Sequence, residues 1–431
     1  MSTNVGSGNP VVVSAFHTSL FHQTLLVALV LVLLWTAWNV VRSLRYRRAV
    51  AAGAVPGIQP AAAATAEPVA RRVLRIGFGL LWLLDGLLQA QSSMPLGLSS
   101  NVLQPAAGSS PGWVQHLVNV GVTIWNNHPV QAAVAAVWVQ VGIGALLLLA
   151  PRGRWQRAAG VLSLGWGLIV WSFGEAFGGI LGSGVSWLFG APGAVLFYCA
   201  AGLLVALPER WWSTPTLGRV VLRVMGAFFI GMAVLQAWPG RGSWQGSVRS
   251  SSSLGATASM VHQMSQTAQP GFLAATLRAF ERFDASHGWA VNLVVVLLLA
   301  AIGGAFCVAT VRASRPAVYA ALVLCAADWV LVQDLGFLGG TGTDPNSMVP
   351  MALLFVSGYL ATARLPAPVP TTAPARADVS TPAHGAVVGA AGQAWWERMP
   401  LGYLSRVAAS VAALLVVLLG AVPMMAAAAN P

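Results

Sequence analysis

The sequence contains no lysine, and all 23 of its basic residues are arginine. Charge of either sign is scarce, at 8% of 431 residues, where a soluble domain carries roughly 25%. A chain so poor in charge cannot clothe a water-facing surface of that length, which excludes an ordinary soluble globule. Cysteine is nearly missing: Cys199, Cys307 and Cys325 fall in apolar runs, form no C-x-x-C pair and are odd in number. That pattern argues against thiol–disulfide chemistry and reads as small buried apolar side chains. No phosphate-cradling glycine loop, zinc cluster or haem-attachment motif occurs, so no metal site is expected.

What fills the chain instead is 57% hydrophobic residues, with a mean hydropathy of +0.72. Arginine without lysine, beside abundant Ala, Gly, Val, Leu and Trp, points to a GC-rich bacterial genome. A pI near 11.2 would suggest nucleic acid in a soluble chain. The placement of the arginines argues for a bilayer instead, with no nucleic-acid partner.

A membrane span needs roughly 20 mostly apolar residues. Ten segments qualify, near 20–41, 73–91, 130–150, 158–175, 187–207, 219–238, 289–311, 317–334, 348–363 and 405–428. If they alternate, 19 arginines lie on one side, and only Arg241, Arg249, Arg278 and Arg282 lie on the other. Positive charge stays cytoplasmic, so both chain ends are expected outside an inner membrane. The first run follows an uncharged tail and precedes its positive charges, which reads as an anchor rather than a cleaved signal. Ala/Pro-rich stretches at 49–70 and 366–398 are expected to be cytoplasmic linkers. They separate the first helix (1–48) and the last (399–431) from a central block.

That block repeats. Arg72-Val-Leu-Arg-Ile-Gly is echoed by Arg219-Val-Val-Leu-Arg-Val-Met-Gly, and Leu88-Gln89-Ala90 by Leu235-Gln236-Ala237. At an offset of 159, Pro111-Gly112-Trp113 meets Pro270-Gly271-Phe272, and His128 meets His287. At 158, Trp171 meets Trp329, Glu175 meets Gln333 and Pro192 meets Pro350. The expected fold is therefore an all-α integral membrane protein of about ten transmembrane helices. Two parallel four-helix repeats, 71–208 and 218–365, stand between one flanking helix at each end.

Ionisable residues within spans are costly, so each is a functional candidate. Asp85 sits in the second span with Gln89 one turn on. Glu175 closes the fourth, Asp328 lies deep in the eighth, and Asp334 is near its outer end. His128 and His287 open equivalent spans on the outer side, each within the expected reach of a carboxylate. Gln236 is the counterpart of Gln89. A histidine beside a carboxylate suits proton exchange or a polar ligand. The same residues also have structural readings: an interfacial histidine starting a helix, or an aspartate bridging helices by hydrogen bonds.

Each block opens with an Arg-x-x-x-Gly span (Arg75 with Gly79; Arg223 with Gly226 and Gly231), followed by a Pro-Gly-aromatic outer segment (Pro111 to Trp113; Pro270 to Phe272). In the first, a Gly-rich span ends in a basic turn holding Arg152, Arg154 and Arg157. In these features the chain resembles DoxX/DoxD-like membrane proteins, as a tandem pair over about 290 residues. The resemblance implies an accessory, redox-associated membrane subunit that interacts with quinone, without a covalently bound cofactor and with a redox or envelope protein as partner. Buried carboxylates in parallel repeats equally fit a small-solute permease, and the amphipathic outer segments fit a scaffold.

Overall fold

The computed structural model describes residues 8–51, 66–182, 184–245, 254–338, 341–363 and 401–429. Among them the chain is all helical, without a β-strand. The helices are α1 (Pro10–Ala51), α2 (Val69–Leu88), α3 (Met94–Leu98), α4 (Gln104–Ala107), α5 (Gly112–Asn127), α6 (Pro129–Leu149), α7 (Arg154–Ile169) and α8 (Ala194–Ala206). They continue as α9 (Glu209–Trp212), α10 (Pro215–Ala237), α11 (Ala256–Ser265), α12 (Gly271–Val308), α13 (Val311–Leu331), α14 (Met348–Ala363) and α15 (Leu401–Ala429). The stretch expected as a linker at 366–398 lies outside the described residues, and of the one at 49–70 only the ends are described.

Among the described residues, five helices are long and apolar enough to cross a membrane: α1, α6, α10, α12 and α13. Of the other expected spans, α7, α8 and α14 are shorter and α2 is more charged. α2 has 20 residues but holds Arg71, Arg72, Arg75 and Asp85, while α8 is only 13 residues long. Expected to start near 187, that fifth span forms a helix only from Ala194. The residues before it turn through Gly190 and Gly193, both at positive φ.

α1, at 42 residues, is about 63 Å long at 1.5 Å per residue, twice the roughly 30 Å hydrocarbon core. Its basic end, Arg42 to Arg48, extends past the apolar run. α12 resolves a similar excess of length by bending. His287 leaves helical geometry (φ −128°, ψ 19°), which separates an amphipathic half from the apolar residues 288–308. α5 and α6 meet in the same way at His128 (φ −136°, ψ 58°), where Pro129 starts the new helix. In both places the histidine is the joint between an amphipathic helix and an apolar one.

Glycines set the closest helix contacts. A β-carbon on Gly144 of α6 would come 2.8 Å from the Gly79 carbonyl of α2. One on Gly226 of α10 would come 2.7 Å from the Gly303 carbonyl of α12. Only glycine permits such backbone approach, the usual device where helices pack without a hydrophobic drive between them.

Four helix ends meet around two buried arginines. Arg71 donates to Glu67 Oε1 (2.7 Å), to Gln156 and to the Val205 carbonyl (3.0 Å). Arg75 grips both Glu67 oxygens, at 3.0 and 2.8 Å, and the carbonyls of Leu147 and Leu148. The starts of α2 and α7 are thereby pinned to the ends of α6 and α8. Arg152 pairs with Glu209 beside them. Burial pushes the Glu67 carboxyl upward, but Arg75 and then Arg71 overcome it and hold it below the usual carboxylate range.

Candidate functional site

At the far end of these helices from the arginine cluster lies a cavity of about 240 Å³. Three features of the local sequence build it. Asp85 and Gln89, four residues apart, share one face of α2, and both are buried, at 3% and 6% exposure. Gln140 looks in from the middle of α6 at 5% exposure. α7 loosens into a π-turn over Val170–Gly174 and breaks at Glu175 (φ −101°, ψ 5°), the kind of irregularity that recurs at functional sites.

Glu175 turns back onto the start of α8. The Val195 N–H donates to both of its carboxylate oxygens at 3.3 Å, where a helix N-terminus favours negative charge. Gly193 makes room: at φ +93°, a β-carbon there would stand 2.3 Å from Glu175 Oε2.

The third carboxyl comes from far along the chain. Asp344 lines the cavity from the segment between α13 and α14, next to Thr343. Thr343 Oγ1 donates to its Oδ2 (2.9 Å) and the Asn346 N–H to its Oδ1 (2.8 Å). Gln91 Nε2, beyond the end of α2, donates to the Gly342 carbonyl at 3.0 Å and ties that segment down. Burial raises the Asp344 carboxyl above its ordinary range, and its two hydrogen bonds oppose the shift.

The walls are aromatic: Trp82, Trp125, Trp166 and Phe173. Trp82 is fixed by a bond to Ser163 Oγ and Trp125 by one to the Pro95 carbonyl, both 2.9 Å. Three buried acceptor atoms of the lining, Asp85 Oδ1, Gln89 Oε1 and Gln140 Oε1, have no hydrogen-bond partner within the protein. No arginine or histidine is among the described residues that line this space.

Of the residues singled out from the sequence, Asp85, Gln89 and Glu175 thus come together at this cavity, and the rest lie outside it. His128 caps the α5–α6 joint, outside the cavity lining. His287 stacks on Phe283 (ring centroids 4.7 Å apart) and bonds to Ser286 Oγ at 2.8 Å. Asp334 occupies a left-handed turn at φ 49° and accepts from Thr267 Oγ1 at 3.0 Å. Gln236 is tied to Asn292 (2.8 Å) and Ser186 (2.7 Å). Asp328 accepts from Gln333 Nε2 at 2.8 Å and, with His287, lines a second, apolar cavity of about 320 Å³.

Gln140, Asp344 and the aromatic walls escape a reading by sequence. Gln140 had one signal, a carboxamide in the middle of an otherwise apolar run. Asp344 had a weaker one, an acidic residue in an outer Gly-rich segment. Among the described residues no group of three or more His, Cys, Asp or Glu side chains is placed to hold a metal ion. No protein-family model, curated protein or solved structure matches the chain.

Proposed function

We propose that this chain is a ten-span protein of a bacterial inner membrane with both ends outside, built from two parallel four-helix repeats, and that it is a permease for a small solute bound in the outer half of the first repeat. The observation that carries the solute reading is the cavity itself. A half-open, aromatic-walled space beside an interrupted helix holds three carboxyls and, among its lining atoms, three buried acceptors with no partner, and such groups cost free energy unless something completes them.

The repeat is supported by the positions of the two cavities. Leu98, Gly121, Ile124, Ala132 and Ala136 line the first, and the residue 159 positions after each lines the second. Trp166, Ile169, Val170, Phe173 and Gly174 behave likewise at 158. Gly144 and Gly303, and the histidine joints at 128 and 287, agree with the 159 register, and Gly79 and Gly226 with the offset of 147 that relates Leu88 to Leu235. The orientation is supported by the gathering of Arg71, Arg75 and Arg152 at one end of the first four helices.

The copies have diverged in chemistry. Where the first has Asp85, Gln140 and Glu175, the second has Met232, Leu299 and Gln333. Its cavity keeps only Asp328 and His287 as titratable lining. The solute site is assigned to the first copy for this reason.

The test is a thermal-stability screen of the purified full chain against small amines, alcohols and quinols, repeated on Asp85→Asn. A hit that stabilises the wild type and not the variant supports the site; its counterflow in proteoliposomes then tests transport. Binding with no counterflow would remove the permease half of the reading. A quinol-interacting redox subunit is the second reading, favoured by the ring-lined cavity and the DoxX/DoxD-like resemblance. It requires copurified quinone and loss of quinol turnover in Asp85→Asn.

A further inference from the structure

We infer that the solute is a primary aryl-alkyl ammonium, a monovalent organic cation with one aromatic ring. This rests on the reading of the first cavity as a solute site, and it follows from what the cavity lacks. Of the unpartnered buried polar atoms of the lining, three are acceptors, Asp85 Oδ1, Gln89 Oε1 and Gln140 Oε1, against a single donor, Trp166 Nε1. Acceptors outnumber donors three to one, so a group that completes them brings mainly donors. A primary ammonium has three N–H donors and a positive charge, one donor for each open acceptor.

The remaining lining agrees in sign and shape. Asp85, Glu175 and Asp344 are acidic, and no basic side chain among the described lining residues offsets them. An anion is disfavoured by all three. A hard metal ion needs several oxygens converging at 2.0 to 2.6 Å or so, and no described cluster of ligating side chains provides that. A neutral apolar guest would leave the acceptors unpaired. Indole rings such as those of Trp82, Trp125 and Trp166 in the lining suit both halves of the ligand, since an aromatic ring takes a cation at its face and another ring by stacking. A cavity of about 240 Å³ sits below the ~300–1,000 Å³ of drug-sized sites, which limits the guest to a single ring.

The experiment titrates the full chain in nanodiscs with phenethylammonium, its neutral isostere phenethyl alcohol, and hydroquinone, reading tryptophan fluorescence and calorimetric heat. Phenethylammonium is expected to bind at least tenfold more tightly than either neutral probe, and Asp85→Asn to remove that preference. The Gln140→Leu variant, which keeps all three carboxyls, is expected to weaken the ammonium severalfold. If hydroquinone or the alcohol binds as well as the ammonium, the cation assignment falls and the cavity remains a solute site. If the ammonium binds and Asp85→Asn leaves it unchanged, binding is elsewhere and the assignment falls. If no probe changes fluorescence or heat, the solute-site reading falls as well.

Discussion

Gln91 and Gly342 stand 251 positions apart in the chain, yet the carboxamide of one donates to the carbonyl of the other across 3.0 Å. That bond holds the segment carrying Asp344 against the end of α2, and it bears no direct relation to a ligand. Gln91→Ala is expected to weaken solute binding by two- to tenfold, since one neutral hydrogen bond contributes about 0.5–1.5 kcal/mol. Because Gln91 lies outside the helices, Tm should move little. A large fall in Tm with unchanged affinity would contradict this assignment.

The glycine contacts make a second expectation. In Gly226→Ala the new β-carbon meets the Gly303 carbonyl at 2.7 Å and the Cys307 amide nitrogen at 2.8 Å. Both are backbone, so α10 and α12 must separate, at a cost of about 1–3 kcal/mol. Gly231→Ala, five residues along the same helix, meets nothing within 4 Å and should stabilise by roughly 0.5–1 kcal/mol. Detergent-resistant unfolding of the two variants, measured side by side, checks the contrast.

Glu67 sets an acid limit. Its carboxyl lies below the ordinary value because Arg75 and Arg71 outweigh burial. Its contribution is thus fully present above the ordinary glutamate pKa and is lost as pH falls through the lowered one. With side chains 9% and 1% exposed, the Glu67–Arg71 pair is buried, and removal of one partner of such a pair typically costs about 3–5 kcal/mol. Glu67→Gln should be that much less stable at neutral pH, with the gap narrowing in acid. Urea titrations between pH 3 and 7 measure it.

Asp344 has the opposite sign. Burial holds its carboxyl above the ordinary range, so its native form favours the proton. The stabilisation is present below the unfolded pKa and declines as pH rises through the folded one. Asp344→Asn should therefore gain stability relative to wild type as pH rises, seen as diverging melting temperatures. A constant difference across that window would show that the carboxyl does not titrate in place.

The helical class is legible in the sequence, because its apolar runs are close to the roughly 20 residues that a spanning helix needs. The histidines show where such reading stops. Spacing along the chain does not say that an amphipathic helix must turn into an apolar one at 128 and at 287. At both joints the backbone leaves helical geometry, and the ring of His287 stacks on Phe283. Asp85 and Gln89 were legible because four residues on a helix fix a common face. Asp344 was not, since its place depends on a contact closed only by the complete fold.

Leu188, from the segment before α8, walls the cavity of the second half, as Thr343 and Asp344 wall that of the first. Each half thus lends its neighbour a piece of lining. A gene cut in the α8–α10 connection would yield two fragments, each with a chamber open on the side its sister once closed. Co-expression of the pieces should restore what neither holds alone.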